Sequence, residues 1–212
     1  ADSTQSTLGI EWEVALVDAA TGDLRSEAPA ILHELHKEAG LAEGEDHPHV
    51  TGELLQNTVE LVTGVHEAVP TAVAELGTIA ARVARAAADR GLALYCQGTH
   101  PFGEAMTQPI TPKERYGRMV DLTQYWGRQM LIFGVHVHVG LDDPAKAMPA
   151  VNRLISRFPH LLALSASSPF WVGADTGYQS QRTQLFQQLP TAGLPFQFET
   201  WAEFEACVQP VS

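Results

Sequence analysis

The sequence predicts an α+β fold, with a mostly antiparallel sheet and helices packed on one face. Residues 7–18 alternate with period two, as a half-buried strand does. Residues 70–90 repeat their apolar positions at helical spacing. The gaps between β-prone segments vary too widely for regular βαβ units, which argues against a parallel sheet.

The first strand, residues 7–18, puts Leu8, Ile10, Trp12, Val14 and Leu16 on one face and Gly9, Glu11, Glu13 and Ala15 on the other. Thr21-Gly22 supplies turn chemistry, and residues 29–39 read as a short helix stopped by Gly40. Residues 41–49 are acidic and loop-like. Residues 50–65 form a second β-prone stretch, with a turn or bulge expected at Gln56-Asn57. Pro70 suits the first turn of the strongest helix, and Val73, Leu76, Ile79, Ala80, Val83 and Ala87 share one face of it. Gly91 ends that helix and a strand follows over 92–97. After a loop at 98–109, a long helix is expected over 112–133, then a strand at Val135, Val137 and Val139 interleaved with His136, His138 and Gly140. Asp142-Asp143-Pro144 is an N-cap signature for a helix running towards Leu164, with Pro149 and Pro159 delimiting or kinking it. Residues 165–177 read as loop, 179–188 as helix and 190–195 as a turn.

Bulk properties narrow the function. Of 212 residues, 45% are hydrophobic and 18% charged, an ordinary globular composition with material for one sizeable core. The formal charge of −12 argues against a nucleic-acid partner and an anionic membrane surface. Cys96 and Cys207 fit no metal-ligand spacing and read as reduced thiols, and no apolar run reaches the length of a membrane span. A basic and apolar leader pattern is absent from residues 1–6, so the expected compartment is the cytoplasm. Neither a dinucleotide fingerprint nor a Walker A loop occurs.

The chemistry concentrates in a few side chains. Glu11 and Glu13 project from the same face of one strand, with Cα atoms roughly 6.5–7 Å apart. Taken alone they read as a solvated face. Glu53 and Glu60 bracket the second β-prone stretch, and their spacing of seven needs a turn to bring both to the same side. Two unit charges about 5 Å apart repel by about 3 kcal/mol at an effective dielectric of 20, so converging carboxylates must take up protons or hold a cation. His136 and His138 share a strand face and are either hydrogen-bonded sheet histidines or metal ligands. A carboxylate-rich set with few histidines suits magnesium or manganese better than zinc. Arg182, one helical turn after Tyr178, is either a surface residue or a guanidinium for a substrate carboxylate or phosphate.

Several segments in this order resemble the type 2 glutamate–cysteine ligases, bacterial carboxylate–amine ligases. They are Gly9-Ile10-Glu11-Trp12-Glu13, the run 53–63, Gly98-Thr99-His100-Pro101-Phe102, the run 134–140 (GVHVHVG), and 165–182 with its tail 189–195. The resemblance implies a curved, glutamine synthetase-like antiparallel sheet shaped as a funnel for ATP, metal ions and amino acid. It implies metal ligands at Glu11, Glu13, Glu53, Glu60 and His136, a catalytic and substrate- or phosphate-binding role for Arg182, and substrate or nucleotide contacts from His138 and Tyr178. It also implies ATP and Mg2+ (or Mn2+) as cofactors, with glutamate and cysteine or another amine as substrates and a homodimer as the assembly. Because members of that family are longer, residues 1–212 are expected to be one catalytic-domain fragment lacking a C-terminal part. Two alternatives stand beside the ligase: a metal-dependent hydrolase built on His136 and His138, and a fragment that folds without turning over.

Overall fold

The computed structural model describes residues 3–42, 44–189 and 192–208. Its centre is one long strand, β1 (Leu8–Asp18). The first helix α1 (Ala28–Glu38) is followed by a hairpin of β2 (Val50–Gly52) and β3 (Thr58–Val62), then by α2 (Val69–Ala88) and β4 (Leu92–Tyr95). Next come α3 (Glu114–Thr123), α4 (Tyr125–Arg128) and β5 (Val135–Val139). The remaining elements are α5 (Ala147–Ile155), α6 (Phe158–Ser165), a small hairpin of β6 (Phe170–Trp171) and β7 (Ala174–Asp175), α7 (Gln181–Phe186) and α8 (Trp201–Val208). Among the described residues no helix is long and apolar enough to cross a membrane.

The sheet is antiparallel throughout, in the order β2-β3-β1-β4, with β5 also paired to β1. β1 is long enough to serve two neighbours on one side: residues 8–12 pair with β5 and residues 15–18 with β4. Where the two neighbours part, the Glu13 backbone N–H donates to Gly134 O at 2.9 Å. This split in the sheet is the first feature that shapes the site.

Period-two alternation divides β1 between two environments. Val14 and Leu16, both fully buried, join Val59 and Leu61 of β3 and Ile31, Ile79 and Val83 of α1 and α2 in the main core. On the opposite face, Ala15 joins a smaller cluster with Leu55, Ala105, Leu131 and Phe133. Glu11 and Glu13, next along that same face, remain half-buried. The β5 valines pair opposite Leu8, Ile10 and Trp12 but lie beyond the reach of the helices. They are 58–62% exposed.

Two expectations need correction. The long helix expected over 112–133 breaks at Gln124, whose φ of 50° leaves the α region, giving α3 and the single turn of α4. Residues 129–133 then leave the helix through a turn and enter the core, where Leu131 and Phe133 bury their side chains. The helix expected from Pro144 to Leu164 is a 3-10 turn (Pro144–Lys146) followed by α5 and α6. Pro159 in the first turn of α6 cannot continue the ladder from α5. The β-prone stretch 50–65 is the β2-β3 hairpin, with the expected turn at Gln56-Asn57. Of the turn expected at 190–195, Pro190 and Thr191 lie outside the described residues.

Candidate metal and nucleotide site

The acidic face of the sheet gathers carboxylates from three segments. Glu13 and Glu60 are direct cross-strand partners, as are Glu11 and His136. Thr51 pairs with Glu60, and Glu53, just past the end of β2, brings a carboxylate oxygen within 4.8 Å of those of Glu13 and Glu60. The connection 53–57 folds the chain back, which resolves the spacing of seven between Glu53 and Glu60. Loop 108–111 clamps that connection. Gln56 N donates to Pro109 O (2.9 Å), the fully buried Asn57 side-chain amide to Gln108 Oε1 (2.9 Å), and Thr111 Oγ1 to Glu53 O (2.6 Å).

Two trios result. Ligand atoms of Glu11, Glu60 and His136 lie within 4.8 Å of one another, as do those of Glu13, Glu53 and Glu60. Glu60 belongs to both. All five residues line an open cleft of about 890 Å3, and Lys113 and Arg115 stand on its wall. His138 stays outside both trios, 3.1 Å from the same Glu11 oxygen that His136 approaches at 3.2 Å. A zinc pair made of His136 and His138 is therefore not among the ligand groups that the described residues form.

Proton affinities follow from this crowding. Burial, followed by the charges of Glu53, Glu11 and Glu13, pushes the Glu60 carboxyl up to about 7, although His136 opposes them. Glu13 is raised by burial and then by Glu53, against His136, Arg182 and the Gly134 N–H. In Glu11 burial acts upward, but hydrogen bonds from His138 and His136 outweigh it and the carboxyl is lowered. A carboxyl that ionises only near neutrality, surrounded by three others, is the electrostatic cost that a divalent cation removes. Four oxygen donors and one imidazole fit Mg2+ or Mn2+ better than a softer ion.

Arg182 lies on the far side of Glu13. Its backbone N–H donates to Ser168 Oγ (3.1 Å) and its Nε to Phe133 O (2.7 Å), which fixes the guanidinium across the split between β4 and β5. The two terminal nitrogens make no hydrogen bond among the described residues, and Arg182 lines a cavity of about 280 Å3 with Glu13, Cys96, Ser167 and Ser168. Gly134 permits this approach. A Cβ there would stand 2.7 Å from an Arg182 terminal nitrogen and 3.3 Å from the Glu13 carboxylate. Tyr178 is 54% exposed and lines neither cavity, so the structure does not bring it to the site.

Sequence reading missed Lys113, Arg115 and Tyr116. Tyr116 is a buried aromatic on α3 and reads as core, yet its hydroxyl lies 3.3 Å from Glu53 Oε2. Only the paired cations of Lys113-Glu114-Arg115 next to a proline could have drawn attention to the segment. Within the run 98–102, His100 serves as scaffold. His100, 1% exposed, accepts from Gly103 N–H at Nδ1 and donates from Nε2 to Gly22 O.

The sequence profile of glutamate–cysteine ligase family 2 (GCS2) matches residues 7–212. A Micrococcus luteus protein provisionally named glutamate–cysteine ligase 2 is 74% identical over 98% of this chain and 52% of its own length. A Leifsonia xyli protein of the same name is 56% identical over 98% of this chain and 54% of its own length. The chain thus spans about half the length of the curated relatives it matches. Among solved structures, a glutamate–cysteine ligase from Francisella tularensis in complex with AMP superposes with a TM-score of 0.50. It does so at 17% identity, covering 78% of this chain and 31% of that one, a likeness of fold. Joined to a profile match over nearly the whole sequence, these relatives establish that the chain belongs to glutamate–cysteine ligase family 2.

Proposed function

We propose that these residues form the metal- and nucleotide-binding part of an ATP-dependent carboxylate–amine ligase, making γ-glutamylcysteine or a related amide from glutamate and an amine. The observation that carries the reading is the pair of carboxylate trios sharing Glu60 in one open cleft. Glu11, Glu13, Glu53, Glu60 and His136 would hold Mg2+ or Mn2+, which when bound supplies charge neutralisation to the phosphates of ATP. The AMP in the Francisella ligase is in keeping with a nucleotide in this fold.

In this reading the residues position and shield rather than attack. The γ-phosphoryl group of ATP passes to the side-chain carboxylate of glutamate, leaving ADP and an acyl phosphate. The amine then attacks the acyl carbon, phosphate departs, and the amine loses its proton. Lys113 and Arg115 on the cleft wall offer positive charge to the transferring group. Arg182, whose terminal nitrogens bond to nothing among the described residues, offers a two-pronged donor to a carboxylate or phosphate oxygen pair. His138 buttresses Glu11. No protein nucleophile is required, and catalysis comes from orientation and charge. Such chemistry belongs in the cytoplasm, with ATP and small amino acids as its only obligatory partners.

The deciding experiment is ADP release by the full-length protein with Mg2+, ATP, glutamate and a panel of amines. Release that needs both glutamate and an amine, and yields one amide per ADP, supports the proposal. Amide hydrolysis without ATP, sustained by zinc, would replace it with the hydrolase reading.

A further inference from the structure

Glu53 is held differently from the other carboxylates of the cluster. Glu11, Glu13 and Glu60 stand on paired strands, so the ladder sets their direction. Glu53 lies just past β2, in the hairpin connection, where no strand pairing aims its side chain. An unrestrained glutamate gives up rotamer freedom when it is fixed, and that cost would weaken a cation site assembled only on binding.

Other contacts replace the ladder. Thr111 fixes the backbone by bonding Glu53 O and Leu54 O. The carboxylate itself meets the Leu54 N–H at 3.2 Å and the Tyr116 hydroxyl at 3.3 Å, both at Oε2. The Tyr116 ring is 7% exposed on α3 and cannot swing aside. Its hydroxyl oxygen accepts from an Arg115 terminal nitrogen at 2.5 Å, and the Arg115 guanidinium lies 4.5 Å from the ring centroid and 3.9 Å from Glu53 Oε1. Because arginine only donates, the hydroxyl keeps its own proton for an acceptor, and the Glu53 carboxylate is nearer than Gly52 O at 3.5 Å.

We propose that Tyr116 is a positioning residue for Glu53: its hydroxyl, polarised by Arg115, holds the carboxylate facing Glu13 and Glu60 so that this trio is preassembled for a divalent cation. The inference rests on the metal reading above. It adds a residue outside the ligand set, acting through a ligand by a directed hydrogen bond, an arrangement typically worth ten- to a hundredfold in metal affinity.

The test is Mn2+ binding by the full-length protein, followed as loss of the free-ion electron paramagnetic resonance signal without ATP or turnover. Tyr116→Phe keeps the ring and removes only the hydroxyl, and is expected to raise the Mn2+ dissociation constant about tenfold or more. Arg115→Gln, at an exposed guanidinium, should raise it by a smaller factor. Tyr95→Phe removes a hydroxyl bonded instead to Gln97 and Thr99 O, and should leave the constant within about twofold. In a Glu53→Gln background, Tyr116→Phe should cost almost nothing further, since the hydroxyl then has no ligand to aim. Wild-type affinity in both Tyr116→Phe and Arg115→Gln overturns the proposal, as does an equal loss with and without Glu53. If the wild-type protein itself binds no Mn2+, the metal reading fails and takes this inference with it.

Discussion

The two faces of β1 solve opposite problems with alternate residues of one strand. Val14 and Leu16 point into the main core and are completely buried between sheet and helices. Glu11 and Glu13 point the other way and meet Glu53, Glu60 and His136, a crowd of like charges whose repulsion the proposed cation would relieve. Holding like charges together requires a scaffold that cannot relax, and the apolar face provides it. The strand thereby separates what holds the molecule together from what does its chemistry, so substitutions on the two faces should have effects of different kinds.

The largest test of that separation is Leu16→Ala, which removes a fully buried side chain and should lower stability by about 2–5 kcal/mol in denaturant unfolding. The folded fraction should bind Mn2+ as before. A loss of metal affinity without a loss of stability would break the comparison. Next comes Glu60→Gln on the opposite face, expected to cut ADP release by about a hundredfold or more, because both trios lose their shared ligand. The metal-free variant should unfold no earlier than the parent at pH 8.

The pH dependence sharpens the contrast. Glu60 holds its proton more tightly folded than unfolded, so its contribution to stability is complete below about 4.5 and is lost as pH rises through about 7. Burial lowers His47 and His100, which act in the opposite direction over part of this range. The informative quantity is therefore the melting temperature of wild type minus that of Glu60→Gln, without metal. It should fall between pH 5 and 8 by about 2–4 °C for each kcal/mol of repulsion. A flat difference would show that Glu60 feels no such crowding. The smallest expected effect is that of Gly134→Ala, which crowds Arg182 against Glu13. It should raise the KM for the carboxylate substrate several-fold, about tenfold at most, with little change in the metal constant.

Legibility in the sequence followed the same division. β1 is readable almost to the residue, because the alternation over residues 8–16 allows one register only. Glu11 and Glu13 are visible as a pair for the same reason, and so are His136 and His138. Whether Glu53 and Glu60 face one another depends on the hairpin connection, and that connection is set by contacts with loop 108–111, some fifty residues away. Helical periodicity could not reveal the break at Gln124, since it arises from burying Leu131 and Phe133 rather than from the local sequence. Tyr116 was hidden because a buried ring with a working hydroxyl has the same pattern as core. Motif resemblance pointed to Tyr178, but its exposed ring lines neither cavity.

The most direct measurement is calorimetric titration of Mn2+ into the metal-free full-length protein at pH 6 and pH 8.5, in buffers of different ionisation enthalpy. A proton and a cation competing for Glu60 predict tight binding at both, with net proton release at pH 6 that shrinks at pH 8.5 and is reduced in Glu60→Gln. Binding that is equally tight in Glu60→Gln, or the absence of binding in the wild type, would contradict the central claim that these carboxylates are gathered to hold divalent ions.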